Sequence, residues 1–346
     1  MNDINENINK ISGLCYVTSD PHGGIELPVL DITHPLFIAS INEVDLEDLS
    51  KKSPQLAQQM KMMPDAQRAL FREKSLIVGE RFNKDPNATY ASGMSTYLLK
   101  LGPHLIGGGE ERNLDRMLTM GISSVAARMR LRDLCRLQAD ALIPQLKDFP
   151  DKCLYFINIG GGTAIDSINT LILILNENNL LLKHRKIEIN VLDIDSDSPF
   201  FGQRCIEALN APGCRFHELD IELRHVQTDW SNTGHLYEVL SERKDCLMMT
   251  ASEGGLFEYG SDEEIAANLR VLYENSPADT RITGSIMRDT RTIDPTIPAM
   301  AETSGASWRY LGKEGLERIL ENSSWTIEYI IEENPVYVLF TLKKKR

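Results

Sequence analysis

Leu154-Tyr-Phe-Ile-Asn-Ile-Gly160-Gly161-Gly162-Thr163-Ala164-Ile-Asp166, followed further on by Ile187-Glu-Ile-Asn-Val-Leu-Asp193-Ile-Asp195, decides how this chain reads. An apolar run of strand length ends in three glycines. A helix-like segment follows, whose buried face is the run Leu171-Ile-Leu-Ile-Leu, and a second apolar strand then ends in carboxylates. Glycines after a strand let the backbone approach a ligand closely, and an acid at the tip of the next strand accepts hydrogen bonds from ribose hydroxyls. The pair of strands therefore predicts a cradle for an adenosine-bearing cofactor.

The glycine spacing selects among such cofactors. A dinucleotide fingerprint requires Gly-x-Gly-x-x-Gly, and counting from Gly160 the sixth place is the β-branched Ile165. No Gly-Lys-Ser/Thr follows, which excludes a P-loop at this site. The segment Asn158, Ile159, Gly160, Gly161, Gly162, Thr163, Ala164 resembles the first motif of the class I S-adenosylmethionine-dependent methyltransferases, an acid and an apolar residue before Gly-x-Gly-x-Gly. Asn158 stands where that family usually carries a carboxylate, and Ala164 where it often carries a third glycine. An asparagine carbonyl still accepts a hydrogen bond from the cofactor's ammonium, without the charge.

Downstream, strands and helices alternate as that fold requires. Cys214-Arg-Phe-His-Glu-Leu219 reads as a strand ending at Asp220-Ile221, where the resemblance implies contacts to the adenine ring. Asp245-Cys-Leu-Met-Met-Thr250 reads as a buried strand running into Ala251-Ser252-Glu253-Gly254-Gly255. A helix then starts at the N-cap Ser261, with Glu264 three residues on and Ile265, Leu269 and Leu272 at helical spacing. Arg281-Ile-Thr-Gly-Ser-Ile286 supplies a fifth strand. Helical segments between strands imply parallel pairing through crossovers. After a helix over residues 314–320, two β-rich runs at 325–331 and 336–342 are separated by Glu332-Glu-Asn-Pro335 alone, too short for a crossover, and so form an antiparallel hairpin. A parallel sheet closed by a C-terminal antiparallel strand is what the methyltransferase resemblance implies. The expected fold class is thus α/β, a Rossmann-like and mostly parallel sheet over residues 151–346, preceded by a mainly α-helical N-terminal domain over residues 1–150.

A narrower resemblance lies in Glu253-Gly254-Gly255-Leu256-Phe257-Glu258-Tyr259. It is similar to the Glu-Gly-x-x-x-Tyr-Leu segment of the leucine carboxyl methyltransferase and small-molecule O-methyltransferase group, with Gly260 in place of the leucine. This similarity places residues 251–259 beside the cofactor and assigns no substrate.

Charge and composition narrow the partners. The 346 residues carry a net charge of −13, which argues against an RNA or DNA substrate, because counterion release from a basic surface supplies much of nucleic-acid affinity. Arg128, Arg130, Arg132 and Arg136 crowd one stretch and read as a solvated helix face laced with ion pairs. The opening Met1-Asn-Asp-Ile-Asn-Glu-Asn is polar and acidic rather than leader-like, and no apolar run reaches the ~18 residues that span a bilayer. The six cysteines show no Cys-x-x-Cys spacing and the histidines are scattered, so buried free thiols in a reducing cytoplasm, and no metal, are expected.

The first 150 residues are less legible. Residues 1–12 read as frayed and Asp20-Pro-His-Gly-Gly24 as a turn, with helical patterns over 45–62, 66–82, 89–101 and 123–146 and breakers at Gly102-Pro103 and Gly107-Gly-Gly109. Such an appendage is expected to form either a lid over the acceptor pocket or the surface of a homodimer, and both stay open. For the cofactor, the expected contacts are Asn158, Gly160, Gly161, Gly162, Asp193, Ile194, Asp220, Ile221 and Ser252. Glu253 and Tyr259, just beyond the fourth strand, are the catalytic candidates; Tyr90 and Arg288 are candidates for the substrate. Three readings follow: methyl transfer to oxygen or nitrogen of a small molecule or peptide side chain; aminopropyl or aminocarboxypropyl transfer on the same fold, for which Asp166 is the residue to inspect; or a binding protein that keeps the cradle without the chemistry.

Overall fold

The computed structural model describes residues 10–20, 24–84, 89–243 and 245–345. Seven strands form the central sheet: β3 (Leu154–Ile159), β4 (Lys186–Asp193), β5 (Asp220–Gln227), β6 (Leu247–Ser252), β7 (Arg281–Met287), β8 (Trp325–Ile331) and β9 (Tyr337–Lys344). Their order is β5-β4-β3-β6-β7-β9-β8, with β5 through β7 mutually parallel and β9 antiparallel to both its neighbours. The expected hairpin is present. The chain moves outward from β3 through β4 to β5, then returns past β3 to lay down β6, so the order reverses beside β3, which is where open α/β sheets bind ligands.

Burial on both faces explains why β3 is continuously apolar. Leu154 and Phe156 join the core on one face with Ile187, Ile189 and Met249, while Tyr155, Ile157 and Ile159 join the core on the other with Met248, Ile282 and Phe340. The two-residue period of a strand makes that division. Helices α8 (Ile165–Glu177), α9 (Asp197–Asn210), α10 (Thr233–Ser241), α11 (Leu256–Tyr259), α12 (Asp262–Asn275), α13 (Thr296–Ser304) and α14 (Gly312–Glu321) intervene between or follow the strands. The capping box at Ser261 and Glu264 is formed, each satisfying a backbone N–H of the other.

Ahead of the sheet lie a small antiparallel hairpin, β1 (Tyr16–Thr18) and β2 (Glu26–Pro28), and the helices α1 (Pro35–Asn42), α2 (Leu46–Met62), α3 (Asp65–Lys74), α4 (Leu76–Lys84), α5 (Gly93–Leu105), α6 (Asn113–Thr119) and α7 (Ile122–Asp148). One apolar cluster runs from Leu27, Leu30, Tyr97 and Leu101 through Ile168 to Phe156 and Ile187, so these helices share a core with the sheet.

Several boundaries depart from the sequence reading. Residues 214–219 are turns, not a strand: Cys214 N–H bonds Ala211, His217 N–H bonds Cys214, and Glu218 sits at φ 78°. The strand begins where it was expected to end, at Asp220-Ile221. The helix expected over 66–82 is two, broken at the extended Ser75, whose hydroxyl and the following N–H groups are held by the buried Asp115. The helix expected from 89 starts at Gly93 behind the N-cap Ser92 and continues to Leu105 through a kink at Gly102, φ 72°. Arg128 and Arg130 are not a solvated face. Both are buried where α5, α8 and the sheet pack on α7, whereas Arg132 and Arg136 pair with Asp133 on its more exposed side. Of the residues 1–12 expected to be frayed, 1–9 lie outside the described residues, as does the centre of the turn expected at 20–24.

Candidate active site

The glycine loop turns over the C-terminal end of β3 with Gly160 at φ 62° and Gly162 at φ 50°, left-handed geometry that a side chain resists. Space is tight as well: a Cβ on Gly160 would lie 3.0 Å from the Cα of Gly255 and 3.2 Å from the Trp230 ring, and one on Gly162 would lie 3.0 Å from the Cα of Gly93, so a neighbour would have to shift by a few tenths of an ångström. The Gly162 N–H donates to the Asp193 carboxylate at 2.8 Å, and the Asp195 N–H donates to its other oxygen at 2.9 Å. Burial raises the Asp193 pKa above the ordinary value, opposed by these two backbone donors. Each carboxylate oxygen has the lone-pair capacity for a further hydrogen bond, so Asp193 both fixes the loop and keeps acceptor capacity toward the cleft.

A cleft with a cavity volume of about 100 Å³ opens beside this loop. Its floor is Gly160, Gly161 and Gly162; one side is Asp193, Ile194 and Asp195 from the tip of β4 with Thr228, Asp229 and Trp230 from beyond β5; another is Glu253, Gly254 and Gly255 from beyond β6. The opposite wall comes from the N-terminal part of the chain. Tyr90, Ala91 and Ser92 precede α5, and Gly93, Thr96 and Lys100 recur along one face of that helix. Met94 N–H bonds the Ser198 hydroxyl at 3.1 Å, tying the start of α5 to the start of α9.

Charge is concentrated under one side of the cleft. Glu253 is bonded by the Lys100 ammonium at 2.8 Å and the Arg130 guanidinium at 3.2 Å, and Arg130 continues to Glu258 at 2.7 Å, which accepts from the Ser285 hydroxyl at 2.7 Å. Every charged side chain in this chain of contacts is at most 7% exposed. The Arg130 plane also covers the Tyr337 ring, 4.2 Å from its centroid. Burial raises the pKa of Glu258, with Arg130 and Ser285 opposing. Beneath the glycine loop, burial and the nearby Glu253 push Asp166 up to about 6, while its carboxylate accepts a bond from Gln138 at 3.1 Å.

The structure brings Gly160, Gly161, Gly162, Asp193, Ile194, Glu253, Tyr259 and Tyr90 to one cleft. Glu253 is held by two cations there, and the Tyr259 hydroxyl accepts from the Ala91 N–H and the Trp308 ring N–H. The remaining candidates sit elsewhere. Asn158 is buried against the Ser167 hydroxyl. The Ser252 hydroxyl accepts from Leu256 N–H and donates to the Ile159 carbonyl, stitching β6 to β3. Asp220 and Ile221 open β5 at the edge of the sheet opposite the cleft. Arg288 holds the carbonyls of Glu332 and Asn334 in the turn between β8 and β9. Missed were Thr96, Lys100, Thr228, Asp229 and Trp230. Lys100 carried a signal, a single cation inside the apolar run Tyr97-Leu-Leu-Lys-Leu; Trp230 was displaced by the misplaced strand.

No family model and no curated protein matches the sequence. Solved structures do match in fold. One, described as a possible exported protein from Bordetella parapertussis, superposes with a TM-score of 0.53 at 13% identity, covering 86% of this chain and 97% of its own. Magnesium protoporphyrin IX methyltransferase from Synechocystis, crystallised with S-adenosylhomocysteine, gives a TM-score of 0.42 at 12% identity over 64% of this chain and 87% of its own. A Burkholderia thailandensis 1,6-didemethyltoxoflavin N1-methyltransferase gives 0.38 at 12% identity, over 62% and 79%. At these identities the likeness is one of fold. Among the described residues no helix is long and apolar enough to cross a membrane, and no three His, Cys, Asp or Glu side chains converge as metal ligands.

Proposed function

We propose that the protein is an S-adenosylmethionine-dependent methyltransferase acting on oxygen or nitrogen of a small molecule or peptide side chain. One observation carries this reading: the Gly160–Gly162 loop and the Asp193 carboxylate are hydrogen-bonded to each other and both face the same cleft, at the point where the strand order reverses. The residues fit the cofactor. Asp193 would accept the ribose hydroxyls, Ile194 would pack on the adenine, and Asp229 with the Trp230 backbone would take the adenine-edge role first expected of Asp220 and Ile221. The cofactor supplies an activated methyl on a sulfonium. The protein's part is then to hold the acceptor in line and exclude water, for which the wall of Tyr90, Thr96 and Tyr259 is placed.

Glu253 serves in this reading as a positioned anion and not as a base, because Lys100 and Arg130 already neutralise it. The aminopropyl reading draws no support from Asp166, which is buried against Gln138 and does not line the cleft. Calorimetric titration with S-adenosylmethionine and S-adenosylhomocysteine tests the proposal. Both are expected to bind the native chain, and Asp193→Ala is expected to weaken them at least about tenfold, a hydrogen-bonded group to the ligand being worth ~1.5 kcal/mol. Absence of binding by either nucleoside, with an adenine dinucleotide binding in their place, would overturn it.

A further inference from the structure

Two cysteines far apart in sequence meet at the surface seam between the β1–β2 hairpin and the core. The sulfur of Cys15, one residue before β1, lies 3.3 Å from that of Cys214, 199 positions on, in the turn after α9. Both residues are partly exposed and both are free thiols. Bonding them requires closing the sulfurs by roughly 1.3 Å, to the ~2.0 Å of a disulfide. The Cys214 side can supply that movement. Its turn is solvent-facing, passes through Gly213 at φ 83°, and meets no atom within 4 Å where a Gly213 side chain would project.

From this geometry we infer that Cys15 and Cys214 are a reversible disulfide site that staples the N-terminal hairpin to the core. The oxidant is a low-molecular-weight disulfide. The Cys214 thiolate attacks one of its sulfurs and expels one thiolate, leaving a mixed disulfide on Cys214. Cys15 then attacks the Cys214 sulfur, the protein disulfide forms and a second thiolate leaves. Two electrons pass from the protein thiols to the oxidant, and the two protons go to the released thiolates. Cys214 acts first because it stands in the exposed turn, whereas burial and the adjacent Cys214 push the Cys15 thiol up to about 12.

The staple matters because of what the hairpin holds. The Pro28 carbonyl accepts from the Tyr97 hydroxyl at 2.6 Å, and that hydroxyl oxygen accepts in turn from the Leu30 N–H at 3.0 Å. Tyr97 belongs to α5, the wall of the cleft. On the other side of the hairpin, Arg204 of α9 holds the carbonyls of Thr18 and Ser19. A bond between Cys15 and Cys214 therefore locks both sides of this layer, whichever ligand the cleft takes.

The full chain, incubated with oxidised or reduced glutathione, alkylated and digested, decides the matter. Two of the six thiols should escape alkylation in the oxidised sample, with one cross-linked peptide joining Cys15 to Cys214. Cys15→Ser and Cys214→Ala should each abolish it. The oxidised native chain should melt higher than the reduced one, on the order of 5 °C, with no such difference in either variant. Full alkylation after oxidation, a cross-link joining Cys153 to Cys246 in its place, a glutathione adduct on Cys214 that never resolves, or unchanged melting would each overturn the inference.

Discussion

The cradle at Gly160 and the wall that faces it across the cleft hold their polar groups in place by different means. The cradle works through backbone: three glycines, the N–H of Gly162 and a carboxylate 31 positions on, all set by the ends of adjacent strands. The wall is braced from beneath by ionised side chains that find each other over long separations, Lys100 to Glu253 across 153 positions and Arg130 to Glu258 across 128. A backbone site loses function when altered but leaves the fold standing. A buried ionic site holds two parts of the fold together, so altering it costs stability first.

The sharpest way to break this contrast is Arg130→Met. Removing the guanidinium leaves Glu253 with one cation and Glu258 with Ser285 alone, both nearly buried. Breaking such a pair from one side costs about 3–5 kcal/mol. Urea unfolding should show that loss, and Arg130→Met combined with Glu258→Gln should recover a substantial part, because no carboxylate then remains unpaired at position 258. A single variant as stable as the native chain would mean that the wall is no more demanding than the cradle.

Asp166 tests the electrostatics where the two regions meet. Its pKa is raised in the folded chain, from 3.8 to about 6, with burial the main cause. The folded state thus binds the proton more tightly than the unfolded state, and stability from this group falls as pH rises from about 4 through 6. At pH 7.5 the native chain carries the full penalty, on the order of 3 kcal/mol for a shift of this size in a fully buried group. Asp166→Asn keeps the shape and an acceptor for Gln138, and should be more stable than the native chain at pH 7.5 while the two converge near pH 4. Urea midpoints at the two pH values measure it; a variant less stable at pH 7.5 would refute the assignment.

Asp193→Ala should show the opposite balance. The loss of two backbone hydrogen bonds costs stability about 1–2 kcal/mol, while binding of an adenosine ligand falls at least about tenfold. A drop in stability as large as that of Arg130→Met would make Asp193 a member of the structural framework and remove its distinction from the wall.

How much of each region could be read beforehand follows from the same difference. The cradle was legible because its signals are local: an apolar strand, three glycines, and an acid at the next strand's tip. The C-terminal hairpin was legible because Glu332-Glu-Asn-Pro335 leaves no room for a crossover. The third strand was misplaced because Phe216 and Leu219, both buried, look like strand residues, while the Pro212-Gly213 turn and the left-handed Glu218 hold them in turns. That shift carried the expected contacts to Asp220 and Ile221 and hid Asp229 and Trp230. Arg128 and Arg130 were misread because burial of a charge depends on a partner more than 80 positions away, Ser40 for one and Glu258 for the other, which no helical periodicity reveals.

The smallest expected effect comes from the capping box before α12. Ser261 accepts from the Glu264 N–H at 3.2 Å, and the Glu264 carboxylate accepts from the Ser261 N–H at 2.7 Å. Both residues are three positions apart and solvent-facing, so Ser261→Ala removes a local device with no long-range partner. The cost of losing an N-cap is ~1 kcal/mol, and the Glu264 half of the box persists because it engages only the backbone at position 261. Thermal unfolding should therefore shift by a few degrees at most, with adenosine-ligand affinity unchanged, since neither residue lines the cleft. A larger loss, approaching that of Arg130→Met, would show that α12 and α11 before it form one unit with the buried Glu258, and the boundary between local and long-range construction would have to be redrawn at Gly260.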